Sequence, residues 1–287
     1  MTQRVLVTDL DNTLWDWFAA WHGSFTAMLQ ELIRQTGIPQ TRLEQEMRVV
    51  HRRHGTTEYT HLLDELPSLR EAAGSIEPWR AFPGAIDALR SERRRLTKLY
   101  PGVLETLNTL RRAGYRIVGY TESLAYWTEW RIRRTELDGI IDVLYSAPDH
   151  DHPRDQSLHG IRSRPDDFYG LKNTTHNHVP RGVLKPNAEV LLEILRGVGA
   201  APQDAYYIGD SLMKDIAMAQ SANVTDIHAA YGESQRSADY ELLRAVTHWT
   251  DEDVAREKEI TAQAGLVVPT HVCQNRFSEL LAFLPLD

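Results

Sequence analysis

The sequence is poor in cysteine. Cys273 is the single one among 287 residues, so no intrachain disulfide can form and a reducing compartment is expected. No run of about 18 apolar residues occurs, which leaves no candidate for a membrane-spanning helix. There is no basic excess either. Thirty-two Lys and Arg face 40 Asp and Glu, for a formal charge of −8, so the chain lacks the electrostatic footprint of a nucleic-acid binder. The opening residues, MTQRVLVTDL, enter a strand at once with no apolar h-region before it, unlike a secretory leader. Repeats and low-complexity tracts are missing as well. Together these absences lead us to expect a cytoplasmic protein. The remaining composition, 42% hydrophobic and 25% charged, is that of a globular chain able to build one large core, or a core with a second lobe.

What is present starts with VLVTDLDNTLW, residues 5–15. A buried-type apolar run leads straight into Asp9 and Asp11. Burying carboxylates is costly unless something pairs with them. From Leu14 to about Leu99 the periodicity is helical. Phe18, Trp21, Phe25, Met28, Leu29 and Leu32 share one face, a second helix spans Thr41–His54, and a third follows Pro83-Gly84. From residue 100 strands alternate with helices. YRIVGY (115–120), IIDVLY (140–145), AYYI (205–208) and 224–230 read as strands, and a last strand is expected over Thr270–Cys273 before a helix over Phe277–Phe283. This alternation predicts a doubly wound parallel sheet covered on both faces, with ligands bound at the carboxyl ends of its strands. The fold class is α/β. Residues 1–14 and 100–287 are expected to form the core, with a long polar loop over 146–182 and a helical extension over 233–266. Residues 15–99 form an inserted all-helical cap, which emerges beside the two aspartates.

Four features fall at the predicted strand ends: Asp9-Leu10-Asp11-Asn12-Thr13, Thr121, Lys185 in VLKPN, and GDSLMKD from Gly209 to Asp215. Convergence of Asp9, Asp11 and Asp210 would set like charges against each other, at roughly 4 kcal/mol per pair at 4 Å and an effective dielectric of 20. A hard divalent cation relieves that repulsion, and an oxygen-only ligand set suits magnesium. A lysine, a hydroxyl and N–H groups at helix starts would add a phosphate cradle. Such a set is sufficient for phosphoryl transfer through an aspartyl-phosphate.

DLDNT, a hydroxyl after the next strand, Lys-Pro and GDSLMKD, in that order, resemble the four motifs of the haloacid dehalogenase-like superfamily. The resemblance covers residues 1–14 and 100–232, and the helical block is similar to that superfamily's inserted cap. It implies Asp9 as nucleophile and Asp11 as acid and then base. Asp9, Asp210, the Asp11 backbone carbonyl and Asp215 would form the magnesium site. Thr13, Thr121, Glu122 and Lys185 would surround the substrate phosphate. An acid at position 11 implies protonation of the leaving group and hydrolysis of the intermediate, hence a phosphatase acting on a small phosphorylated metabolite or a phosphoprotein. The alternatives are a phosphosugar mutase using the same residues, and a non-catalytic binding protein that retains the fold. Oligomeric state is not legible.

Blander readings stand beside these. Alone, each motif is an ordinary turn, cap or solvated lysine, and Ser123 could cap a helix in place of Thr121. The segment 146–182 carries His150, His152, His159, His176 and His178. Histidines two apart in a loop have no required ligand geometry and no Cys partner, so a solvated loop is expected, with a substrate-covering or partner-binding loop as the alternative. Trp15, Trp17, Trp21 and Trp79 read as core. His51-Arg52-Arg53-His54 reads as a solvated helix end.

Overall fold

The structure is a computed structural model and describes residues 3–149, 162, 168–180, 182–233, 240–248 and 267–286. Seven strands form one parallel sheet: β1 (Val5–Thr8), β2 (Arg116–Leu124), β3 (Val143–Ala147), β4 (Thr175–His178), β5 (Ala205–Gly209), β6 (Thr225–Ala229) and β7 (His271–Cys273). Their order is β4-β3-β2-β1-β5-β6-β7. β1 lies at the centre with all four residues buried. Both faces are covered. Leu6 joins a core with Leu107, Leu110, Ile208 and Phe277, while Val5 and Val7 join another with Leu191, Ile194 and Met218. A strand covered on both faces reads as a continuous apolar run, because alternate residues enter opposite cores.

Between β1 and β2 lie α1 (Trp17–Thr36), α2 (Gln40–His54), α3 (Leu62–Glu65), α4 (Pro67–Ala73), α5 (Pro78–Ala81), α6 (Pro83–Leu96) and α7 (Val103–Arg112). α7 covers the sheet through Val103, Leu107 and Leu110. α1 to α6 build a core of their own around Phe18, Trp21, Phe25, Leu32, Leu43 and Met47. Gly37 ends α1 in the left-handed conformation at φ 67°, where glycine carries no Cβ penalty. The chain leaves the sheet and returns at adjacent points. Tyr100 N donates to Leu14 O at 2.9 Å, and Trp15 pairs antiparallel with Leu99. α8 (Ala125–Arg134) follows β2, α9 (Ala188–Gly197) precedes β5, α10 (Ala217–Ser221) precedes β6, and α11 (Tyr240–Val246) lies between β6 and β7.

Several expectations are corrected. β2 runs on to Leu124, so Thr121 lies within it, at a register irregularity between Tyr120 and Leu124. The next strand is 143–147 rather than 140–145. The segment 146–182 is not solely a loop, because its residues 175–178 form β4 against β3. THNH has no apolar alternation to announce a strand. An edge strand needs one partner, and pairing within the tertiary fold overrides propensity there. Its approach is pinned by Asp138, whose carboxylate accepts from Lys172 N, Asn173 N and Thr174 N at 2.8, 2.9 and 3.0 Å. The expected extension 233–266 does not stay with the sheet core throughout. In α11, Leu243 and Val246 enter the helical core, and Arg48 on α2 donates to Ala245 O and Arg244 O. The rest of that extension, and His150, His152 and His159, lie outside the described residues. His51 is fully buried rather than solvated, and Trp79 is 36% exposed rather than core. No described helix is long and apolar enough to cross a membrane.

Candidate active site

The site grows from the end of β1. Asp9 N still donates to Ile208 O of β5 at 2.8 Å, which fixes the backbone that carries the carboxylate. The chain then turns: Thr13 N and Leu14 N both donate to Leu10 O. Asn12 takes φ 60°, a conformation that asparagine tolerates better than most residues, and its side chain accepts from Phe18 N at 3.1 Å. The turn is thus tied to the first turn of α1.

Asp9 is almost wholly buried. Its Oδ2 accepts from Thr13 Oγ1 at 3.1 Å and its Oδ1 from Lys185 Nζ at 2.6 Å. Lys185 also donates to Asp215 Oδ1 at 2.9 Å. A tight turn at Leu212–Ile216 brings Asp215 back over the end of β5. There Tyr207 Oη donates to its Oδ1 at 2.8 Å and Ser211 N to its Oδ2 at 3.1 Å. A Cβ on Gly209 would lie 2.3 Å from the Asp215 carboxyl carbon, so this closure requires glycine at that point. One carboxylate oxygen from each of Asp9, Asp210 and Asp215 lies within 4.8 Å of the others.

The electrostatics follow from that crowding. Burial pushes Asp9 up to about 7, against the lowering by Lys185 and with further raising by Asp215. Burial, then Asp9 and Asp215, hold Asp210 well above the ordinary carboxylate range. Burial works against the Lys185 ammonium, but Asp215 and Asp9 raise it well above its usual value. Three carboxylates face one lysine, so the group is short of positive charge. All-oxygen donors with that deficit fit a hard divalent cation.

Asp11 points elsewhere. Its Oδ1 accepts from Trp15 Nε1 at 2.6 Å, its Oδ2 accepts from Ser123 Oγ, and Arg131 Nη1 stands 3.8 Å from Oδ1. Thr121 is buried, and its Oγ1 accepts from Ser123 N at 3.1 Å. Among the described residues no hydrogen bond joins it to Asp9 or Lys185. The Glu122 carboxylate accepts from Lys185 N at 2.7 Å and from Lys214 Nζ at 2.9 Å. The Glu122 side chain thus links the Lys185 backbone to the Lys214 side chain. Sequence reasoning missed the donors around Asp11. Trp15 was read only as core, Ser123 only as a cap, and Arg131 sits in an RIRR run (131–134) with nothing local to distinguish it.

The family profile described as haloacid dehalogenase-like hydrolase matches residues 3–223. The chain belongs to that family. It is therefore a hydrolase on this fold. A curated relative, glyceraldehyde 3-phosphate phosphatase of Methanopyrus kandleri, is 25% identical over 239 residues, which covers 81% of this chain and 86% of that one. The magnesium-bound HAD-hydrolase YfnB of Bacillus subtilis is similar in structure. It has a TM-score of 0.51 at 14% identity, covering 99% of both chains, and so speaks for the fold. A 2-haloacid dehalogenase from Pseudomonas syringae pv. Tomato DC3000 aligns at a TM-score of 0.49 and 18% identity, covering 97% of this chain and 96% of that one.

Proposed function

We propose that the protein is a magnesium-dependent phosphatase that hydrolyses a small phosphate monoester through an aspartyl-phosphate on Asp9. One observation carries this reading. Asp9 is gripped by Lys185 at 2.6 Å, within a trio of carboxylates short of positive charge. Magnesium, held by Asp9, Asp210 and Asp215 with the Asp11 backbone carbonyl, would supply charge neutralisation at the transferring phosphoryl group. Lys185 orients the Asp9 carboxylate and favours its ionised form against burial, and it offers its remaining donor capacity to the phosphoryl oxygens. Thr13 fixes the other Asp9 oxygen, while Thr121 stands as a second hydroxyl for the phosphoryl group. Asp11 gives a proton to the leaving oxygen and then takes one from the water that attacks the phosphoenzyme. The curated relative named a phosphatase supports the same reaction class. The helical block is proposed to act as a lobe over the site.

The test is phosphate release from p-nitrophenyl phosphate by the purified protein, with magnesium and after exhaustive chelation. Turnover that appears with magnesium and vanishes on chelation is expected. Absence of turnover at any divalent ion would remove the phosphatase reading, and full turnover after chelation would remove the metal.

A further inference from the structure

Arg131 is a buried arginine with one donor left over. It lies on α8, in the core, with its side chain 4% exposed. Its Nη2 donates to Glu58 Oε1 at 2.5 Å. Its Nη1 is buried and has no hydrogen-bond partner among the described residues. Leaving a buried, charged donor unpaired is expensive, and this one stands 3.8 Å from Asp11 Oδ1. That gap is too long for a hydrogen bond. It is wide enough for a single oxygen atom to lie within hydrogen-bond distance of both groups.

Asp11 is the residue that meets the leaving-group oxygen. We infer that Arg131 is a further catalytic residue, whose Nη1 receives that same oxygen as it departs from phosphorus. The inference rests on the phosphatase reading above. The step is the first half-reaction. The Asp9 oxygen forms a bond to phosphorus while the bond from phosphorus to the leaving oxygen breaks, and its electron pair stays on that oxygen. Asp11 delivers a proton to it, and Arg131 stabilises the charge that develops before the proton has fully arrived. A fixed donor in a water-poor site acts strongly on developing charge.

The placement of Nη1 depends on the helical block. Glu58 comes from that block, and it is held both by the block and by α8. Trp17 Nε1 donates to Glu58 Oε2 at 3.4 Å, and Trp127 Nε1 of α8 donates to Glu58 O at 2.9 Å. Arg93 of α6 lies 4.1 Å from the centroid of the Trp127 ring. Arg131 and Arg93 together hold Glu58 below the ordinary carboxylate range in spite of its burial. Glu58 thus orients the guanidinium from the lobe side, and its ionic form keeps Nη2 occupied and Nη1 directed to Asp11.

The experiment measures kcat/KM, which reports formation of the phosphoenzyme, for p-nitrophenyl, phenyl and methyl phosphate. Wild type is compared with Arg131→Lys and with the paired Arg131→Met/Glu58→Gln variant, which removes both members of the Arg131–Glu58 ion pair together. Circular dichroism and thermal melting check that each is folded. Losses that steepen as the leaving group worsens are expected, about 10²–10³-fold for methyl phosphate and at least tenfold smaller for p-nitrophenyl phosphate, whose anion needs little help. Equal losses across the three esters in folded variants would overturn the inference and make Arg131 a tie between lobe and core. No wild-type turnover of any ester would instead sink the phosphatase reading.

Discussion

Gly232 faces the backbone of the Asp9–Thr13 turn with no room to spare. A Cβ there would lie 1.8 Å from Asn12 O, and that atom is main chain, not the end of a flexible side chain. Nearby, Tyr231 Oη donates to Thr13 O at 2.7 Å, so the turn is held from this side as well. Gly232→Ala must push the turn aside. It is expected to cost more than about 2 kcal/mol of stability, read by thermal melting, and to slow turnover out of proportion to the unfolded fraction. The carboxylates of the turn give separable expectations. Asp9→Asn removes the nucleophile while keeping its shape, so the variant should fold and show no turnover. Retained activity in a preparation free of contaminating phosphatase would place the nucleophile elsewhere. Asp11→Asn should fail differently. p-Nitrophenolate leaves without a proton, whereas the water step still needs a base, so one equivalent should burst out before the enzyme stalls as phosphoenzyme. Equal small losses with aryl and alkyl esters and no burst would deny Asp11 that part.

β4 and its surroundings show how an element can be built from polar residues. Glu129 on α8, 5% exposed, accepts from Arg162 at 2.8 and 3.1 Å, from His176 Nδ1 at 3.1 Å and from Gly170 N at 3.1 Å. His176 Nε2 in turn meets Ser146 Oγ at 2.8 Å across the β3–β4 pair. Burial opposes the Glu129 charge, but the bonds from His176 and Arg162 bring it down to about 2. One carboxylate therefore ties α8 to the edge of the sheet. Glu129→Ala strands those donors and is expected to cost about 3–5 kcal/mol, measured by urea unfolding. A loss under about 1 kcal/mol would show that β4 is held by its ladder alone. The same element marks what the sequence could tell. β1, β2, β5 and β6 were legible because central strands must be apolar on both faces, and motif turns follow β1 and β5. β4 was not, since the pattern THNH carries no burial signal and its partners lie 30 to 47 positions earlier, from Ser146 back to Glu129. In the site, Asp9, Lys185, Asp210 and Asp215 were legible as residue types at strand ends. Arg131 and Glu58 were not, because their pairing exists only once the helical block lies against α8.

At the scale of the molecule, and among the described residues, three joints tie the helical block to the sheet core besides its side-chain contacts with α8. Two joints are its chain connections at Leu14–Trp15 and Leu99–Tyr100. The third is α11, which returns after β6 to pack on α2. His51 sits in that third joint. Its Nδ1 meets Val246 O at 2.7 Å, while its Nε2 is buried without a partner among the described residues. The neighbours that face it are the Phe25 ring, His248 and His54, and His54 is itself paired with Glu65. Among these described neighbours none offers a negative charge to a second ring proton. Burial therefore pulls His51 from 6.5 down to about 4, against the Val246 hydrogen bond and with small help from His248 and His54. The folded-state value lies below the unfolded one, so the unfolded chain takes up the proton first as pH falls. The contribution of His51 to stability is complete above 6.5 and is lost progressively down to about 4, for a total of about 3 kcal/mol. Asp9, at about 7 when folded, titrates in the same window with the opposite sign, so neither curve alone is diagnostic. The comparison is with His51→Gln, whose amide can still donate to Val246 O but does not titrate. Between pH 7 and pH 5, at fixed magnesium, wild type should lose about 2 kcal/mol more than the variant in urea unfolding. Parallel losses in the two proteins would mean that His51 finds a partner for its second proton and that the joint between α11 and α2 is indifferent to pH.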